Sequence, residues 1–127
     1  AWLTDQAFAK KYGFTAVDTA DPDYELLALS FDGTVPRFAP GVKSPGIPSQ
    51  ELTIYYDAQC PYVWQSTQLV QQYCAEAGVP LSLRAVDTLE KAKALPCVFN
   101  NWAVFYKGRL ETINLLDLAY LKRILKK

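Results

Sequence analysis

Four prolines fall close together at Pro36, Pro40, Pro45 and Pro48, with Gly41 and Gly46 between them. Each proline removes a backbone donor and fixes φ, so this stretch predicts neither a helix nor a central strand. It reads as a linker, residues 36–50, or a strap over a surface. It divides the 127 residues into a short leading part, 1–35, and a longer part, 51–127. The short part is too small to bury a core of its own. It must dock on something else.

Composition narrows the chemistry. Half of the residues are apolar and 20% are charged, the balance of a folded domain. Thirteen basic residues against thirteen acidic ones give a net charge of zero, which argues against nucleic acid or an anionic membrane surface as the partner. The chain has no histidine, which excludes Ser-His and Cys-His nucleophile pairs, histidine bases and His-containing metal sites. It also has no methionine, not even at position 1, and reads as an excised or processed piece or one with its start removed. The cysteines, Cys60, Cys74 and Cys97, make no C-x-x-C and no paired zinc spacing, so no metal is expected. Their odd number does not suit a secreted disulfide framework. With no membrane-length apolar run and no signal-like start, the cytoplasm is the expected compartment.

The leading part predicts a helix over 3–12, with Leu3, Ala7, Phe8 and Tyr12 on one side, Thr4 or Asp5 as its cap and Gly13 as its stop. A short strand over 14–17, a turn at Asp21-Pro22-Asp23 and an apolar strand over 24–31 follow. In the longer part, residues 52–56 read as a strand. Residues 61–77 read as a helix with Val63, Val70, Tyr73, Cys74 and Ala77 inward, opened by Pro61 and stopped by Gly78. A strand over 81–86 and a short helix to Ala94, capped by Asp87 or Thr88, come next. Apolar residues 97–106 and 109–113 predict a hairpin closed at Lys107-Gly108, or alternatively at Asn100-Asn101. A last helix, capped by Asn114, runs to Lys127 with Leu115, Leu118, Leu121, Ile124 and Leu125 inward and a solvated basic end. The order β-α-β-α-β-β-α makes the first two strands parallel and the last two antiparallel.

Cys60 stands out by position. It follows a strand and a short loop and precedes Pro61 at a helix start, where free N–H groups and the helix dipole favour a thiolate. Cys74 lies on the inward stripe of that helix, about 20 Å along its axis, and reads as a core residue. Cys97 follows Pro96 just before a strand; it reads as a core cysteine, or as a neighbour of Cys60 if the two strands are adjacent. Tyr62 and Trp64 flank Cys60 as walls of a shallow groove, and Asp57 is a nearby proton acceptor or simply a solvated loop acid. The glycines are scattered singly, so no phosphate-binding loop is present.

Cys60-Pro61-Tyr62-Val63, the element order and the proline before the third strand resemble the thioredoxin/glutaredoxin fold, whose glutaredoxins carry C-P-Y-C at this place. The second, resolving cysteine is replaced by Val63. The resemblance implies a cis-proline at Pro96 facing Cys60. Taken together, residues 8–14, 17–18 and 24–29 resemble the C-terminal end of a GNAT-family N-acetyltransferase, and residues 54–62 and 104–116 resemble the YoaP-like domain that follows it in some proteins. The fold class implied is α/β: a thioredoxin-like domain at 51–127, preceded by a terminal GNAT fragment at 1–35. Acetyl-CoA is implied for the parent protein. Its glycine-rich loop lies on earlier elements, so no cofactor is expected in this chain. Many GNAT enzymes place a tyrosine acid after the phenylalanine of the leading helix, where this chain has Ala9.

The leading expectation is an accessory region of a GNAT-like acetyltransferase, binding a substrate or partner through Cys60, Pro61, Tyr62, Trp64, Pro96 and Cys97. The alternatives are a single-cysteine thiol-disulfide module using Cys60 with a thiol or protein partner, and a non-catalytic docking domain. The expected contacts are the upstream GNAT domain and, through residues 1–31, a second copy.

Overall fold

The computed structural model describes residues 5–127. Expectations resting on Leu3 and Thr4 lie outside that range. The elements are α1 (Ala7–Lys11), β1 (Thr15–Ala20), β2 (Tyr24–Ala28), α2 (Pro40–Lys43), β3 (Leu52–Tyr56), α3 (Pro61–Ala77), β4 (Leu81–Ala85), α4 (Leu89–Lys93), β5 (Trp102–Tyr106), β6 (Arg109–Thr112) and α5 (Leu118–Leu125). They form a mixed α/β fold with two sheets: an antiparallel β1-β2 hairpin and a four-stranded sheet ordered β4-β3-β5-β6.

The four-stranded sheet is built on β3. Its Leu-Thr-Ile-Tyr-Tyr sequence suits a half-buried pleated surface, and Leu52, Thr53 and Ile54 are fully buried. β4 returns parallel to it through α3, with Leu52 opposite Leu81. β5 pairs antiparallel on its other side, with Tyr56 opposite Trp102, and β6 pairs antiparallel with β5. Lys107 (φ 51°) and Gly108 (φ 79°) close this last hairpin. Two consecutive positive φ values are what a two-residue connection between twisted strands requires. Asn100-Asn101, the alternative turn, instead lies before β5, and the Asn101 carbonyl accepts the Asp57 N–H at 3.0 Å.

Alternation along the strands splits the core in two. On one face, Leu52, Ile54, Trp102 and Val104 pack with Val63, Val70 and Cys74 of α3 and Leu121 and Ile124 of α5. On the other, Cys97, Ala103 and Phe105 gather with Tyr55, Phe99, Leu110, Ile113 and Ile47. Among the described residues, the Trp102 indole N–H is the buried side-chain donor left without a partner.

Several elements differ from the sequence reading. Phe8 of α1 and Tyr12, which follows its last turn, are 67% and 60% exposed, their rings tilted at 55° with centroids 5.1 Å apart; Ala9 is the buried residue. Asp5 accepts the Ala7 N–H at 2.9 Å. In α3 the stripe runs through Thr67, whose hydroxyl donates to the Trp64 carbonyl at 2.7 Å, while Ala77 is exposed. α5 starts later than Asn114 because the Asp117 carboxylate, not Asn114, accepts a first-turn N–H, that of Tyr120 at 2.7 Å. Leu118 consequently lies 41% exposed rather than inward. At the far end of α5, Lys127 pairs with Glu111 of β6.

The Pro-rich stretch does contain one helical turn, α2, because Pro40 occupies its first position, where no N–H is needed. The stretch is held at both ends. Asp18 of β1 pairs with Lys43 at 2.8 Å and accepts the Phe38 N–H at 2.8 Å. Further on, Gly46 bridges Arg109, and Ile47 N–H donates to the Gly108 carbonyl at 3.0 Å.

Candidate functional site

The carboxyl end of β3 runs into the loop 57–60 and then into α3. The Asp57 N–H is held by the Asn101 carbonyl, and the Val86 N–H donates to the Tyr56 carbonyl at 2.7 Å. Three chain segments therefore meet where β3 ends. Outside the carboxyl ends of parallel strands is where open α/β sheets place ligands.

Cys60 is the N-cap of α3, in extended conformation (φ −97°, ψ 127°), and its side chain caps no backbone N–H. Its carbonyl accepts the Val63 N–H at 3.0 Å, which closes the first turn. The residue is partly exposed and packs on the α3/α5 face of the sheet. Pro61 fixes the start of the helix. Val63 points into the core at zero exposure, which throws Tyr62 and Trp64 to either side of it, 66% and 61% exposed. The structure thus gathers Cys60, Pro61, Tyr62 and Trp64 at one helix start.

The Asp57 carboxylate accepts the Gln59 N–H at 3.1 Å and shapes the loop ahead of Cys60.

Cys97 does not join the Cys60 site. All three cysteines are free, and Cys97 packs in the cluster on the opposite face of the sheet from Cys60. Only 3% exposed, its thiol is pushed up to about 12 by burial. Burial raises the Cys74 thiol as well. A neutral, enclosed thiol is a poor nucleophile. The Leu95-Pro96 bond is trans; among the described residues the cis peptide is Asp21-Pro22. Trans is the ordinary state of an X-Pro bond, favoured by about 0.5–1 kcal/mol. The cis-proline expected at Pro96 is therefore corrected.

Two concavities, of about 410 and 300 Å³, both gather round the Asp21-Pro22 turn. Among the described residues no cluster of His, Cys, Asp or Glu is arranged to hold a metal ion, and no helix is long and apolar enough to cross a membrane. The sequence reading missed the latch residues Asp18 and Lys43; nothing in their local sequence marks a pair separated by the whole hairpin.

A family model described as YoaP-like matches residues 80–126. That match begins after Cys60 and covers β4 to α5. The chain is 30% identical over 126 residues to the uncharacterized N-acetyltransferase YoaP of Bacillus subtilis (strain 168). The alignment takes in 98% of this chain and 50% of that protein, so the chain spans about half the length of the relative it matches. No solved structure matches.

Proposed function

We propose that this chain is the C-terminal accessory region of an acetyltransferase-related protein, presenting the Cys60 helix start as a contact point for a substrate or partner. The observation that carries the reading is the likeness across 98% of the chain to half of a protein named as an N-acetyltransferase. In this reading α1, β1 and β2 are the closing elements of a GNAT domain, and residues 51–127 are a thioredoxin-like domain. The sheet order β4-β3-β5-β6, with β3 and β4 parallel and Cys60 opening α3, supports that second assignment. The acetyl-CoA site belongs to the other half of the parent. The partial exposure of Cys60, with Tyr62 and Trp64 open to solvent beside it, favours a surface contact over an enclosed small ligand.

The test has two parts. The reading frame that encodes this chain should contain a glycine-rich acetyl-CoA loop ahead of it, and its full product should bind acetyl-CoA while residues 1–127 alone do not. A reading frame without that loop would end the proposal.

A second reading is favoured by one contrast: Cys60 is partly exposed while Cys74 and Cys97 are buried. In it, the Cys60 thiolate attacks a disulfide, forms a mixed disulfide and releases the other sulfur as a thiolate. A small external thiol then attacks the mixed disulfide, frees Cys60 and leaves as the new disulfide. Cys60→Ser should abolish any such turnover; turnover that survives the substitution removes this reading.

A further inference from the structure

The face of the four-stranded sheet turned away from α3 and α5 needs a cover. α4 does not supply it, because none of its residues is buried. Yet Cys97, Ala103 and Phe105 on that face are all but inaccessible, and Ile47 of the Pro-rich stretch packs against them. The hairpin turn comes close to the strap and to β6: Asp21 and Pro22 line one concavity together with Ser44, Pro45, Arg109 and Leu110.

Both ends of the stretch are fastened. Toward the hairpin, Asp18 holds Lys43 and the Phe38 N–H, and the Asp21 N–H donates to the Lys43 carbonyl at 3.1 Å. The Asp18 side chain is only 9% exposed. Toward the sheet, Gly46 bridges Arg109, and the Lys107 N–H donates to the Gln50 carbonyl at 3.2 Å. Those bonds engage the Lys107-Gly108 turn and the first residue of β6, where the outer edge of the sheet begins. The approach is close: a Cβ on Gly108 would stand 2.9 Å from the Ile47 carbonyl oxygen.

We propose that residues 43–50 are a strap over this face of the four-stranded sheet rather than a tether, latched to the hairpin at Asp18–Lys43 and to the sheet at Gly46–Arg109, and that this strap, through Ile47, seals Cys97. The hairpin and the sheet then hold one fixed orientation, and Cys97 becomes reachable only when the strap lifts. The inference rests on contacts within this chain and stands or falls separately from the acetyltransferase reading.

Cysteine alkylation on the full 127-residue chain under native conditions, resolved by peptide mass, tests it. In the wild type Cys60 should label first, with Cys97 and Cys74 both slow. Asp18→Asn removes the ion pair while keeping the shape. It should raise the Cys97 rate roughly tenfold or more through local opening, with Cys74 unchanged. A Cys97 rate that does not move, or that rises only in step with Cys74, overturns the proposal. Hydrogen exchange on the wild type needs no variant. The amides of Asp21, Ile47 and Lys107 should exchange as slowly as those pairing β3 with β5. Exchange at open-chain rates would overturn the strap.

Discussion

An added Cβ at Gly108 would meet the Ile47 carbonyl at 2.9 Å on a backbone held at φ 79°. Gly108→Ala should therefore cost about 2 kcal/mol or more, read by urea unfolding. Gly41, in the exposed turn of α2 with no atom near its missing Cβ, gives the opposite sign: Gly41→Ala should stabilise by about 0.5–1 kcal/mol. The sequence marks Gly108 as a turn residue but not as a docking point, since the atom it must avoid belongs to a residue far away in the chain.

Cys97 gives the molecule an alkaline weakness. Its thiol stays neutral in the fold up to about 12, whereas in an unfolded chain a cysteine ionises near about 8.5. The unfolded state loses its proton first. Stability from this group is thus complete below about pH 8.5 and declines by up to about 1.4 kcal/mol per pH unit on the way to 12. Cys74, also raised by burial, adds to the same limb. Unfolding free energies measured from pH 8 to pH 10 should fall, and Cys97→Ala should lessen the slope by about one proton.

At the scale of elements, α5 separates what patterning reveals from what it hides. Its apolar period is plain in the sequence, but its start is not, because Asn114 and Asp117 are both acceptable caps. Packing decides between them: Leu116 and Leu121, on either side of Asp117, lie in one cluster and pin the entry of the chain. Asp117→Ala should cost about 0.5–2 kcal/mol and Asn114→Ala little. Leu121→Ala should cost about 2–5 kcal/mol, while the half-exposed Leu118 should tolerate alanine within about 0.5 kcal/mol. Thermal unfolding of the four variants separates these outcomes. The bounds of β3 and α3 are legible in the sequence, since β-branched and aromatic residues, Pro61 and Gly78 act locally, whereas the buried Thr67 of α3 is not. Nor is the latch of Asp18 on Lys43, because it depends on tertiary placement. That latch holds the Asp18 carboxyl below the usual carboxylate range, chiefly through the hydrogen bond from Lys43. Its contribution is present above about pH 4 and is lost as acid drives the pH down through the lowered value.

At the scale of the whole molecule, the apolar side chains left in solvent are concentrated toward the leading end: Phe8, Tyr12, Phe14, Leu29 and Phe31, the last 93% exposed. On the proposed reading they are the face toward the missing half of the parent. In its absence they should drive self-association of residues 1–127, visible as a mass that rises with concentration in sedimentation; Phe8→Ser with Phe31→Ser should reduce it without lowering the unfolding temperature. A clean monomer at high concentration would remove the docking face. The candidate site itself was partly legible. Cys60, Pro61, Tyr62 and Trp64 converge because they are sequential. Cys97 reads mainly as a core cysteine, with a place beside Cys60 as the lesser alternative, and the loop ahead of β5 carries it to the other face of the sheet.

The strap closes on a surface that is synthesised after it. Residues 43–50 leave the ribosome well before β5 and β6 exist, and the turn that receives Gly46 and Ile47 is near the end of the chain. Until that turn forms, the Gly46–Ile47 segment has nothing to dock on and the face round Cys97 stays unsealed. A nascent chain stalled before residue 102 should accordingly bind chaperones more strongly, and compact less, than one stalled with β6 fully extruded. A strap made early is seated by a turn made later.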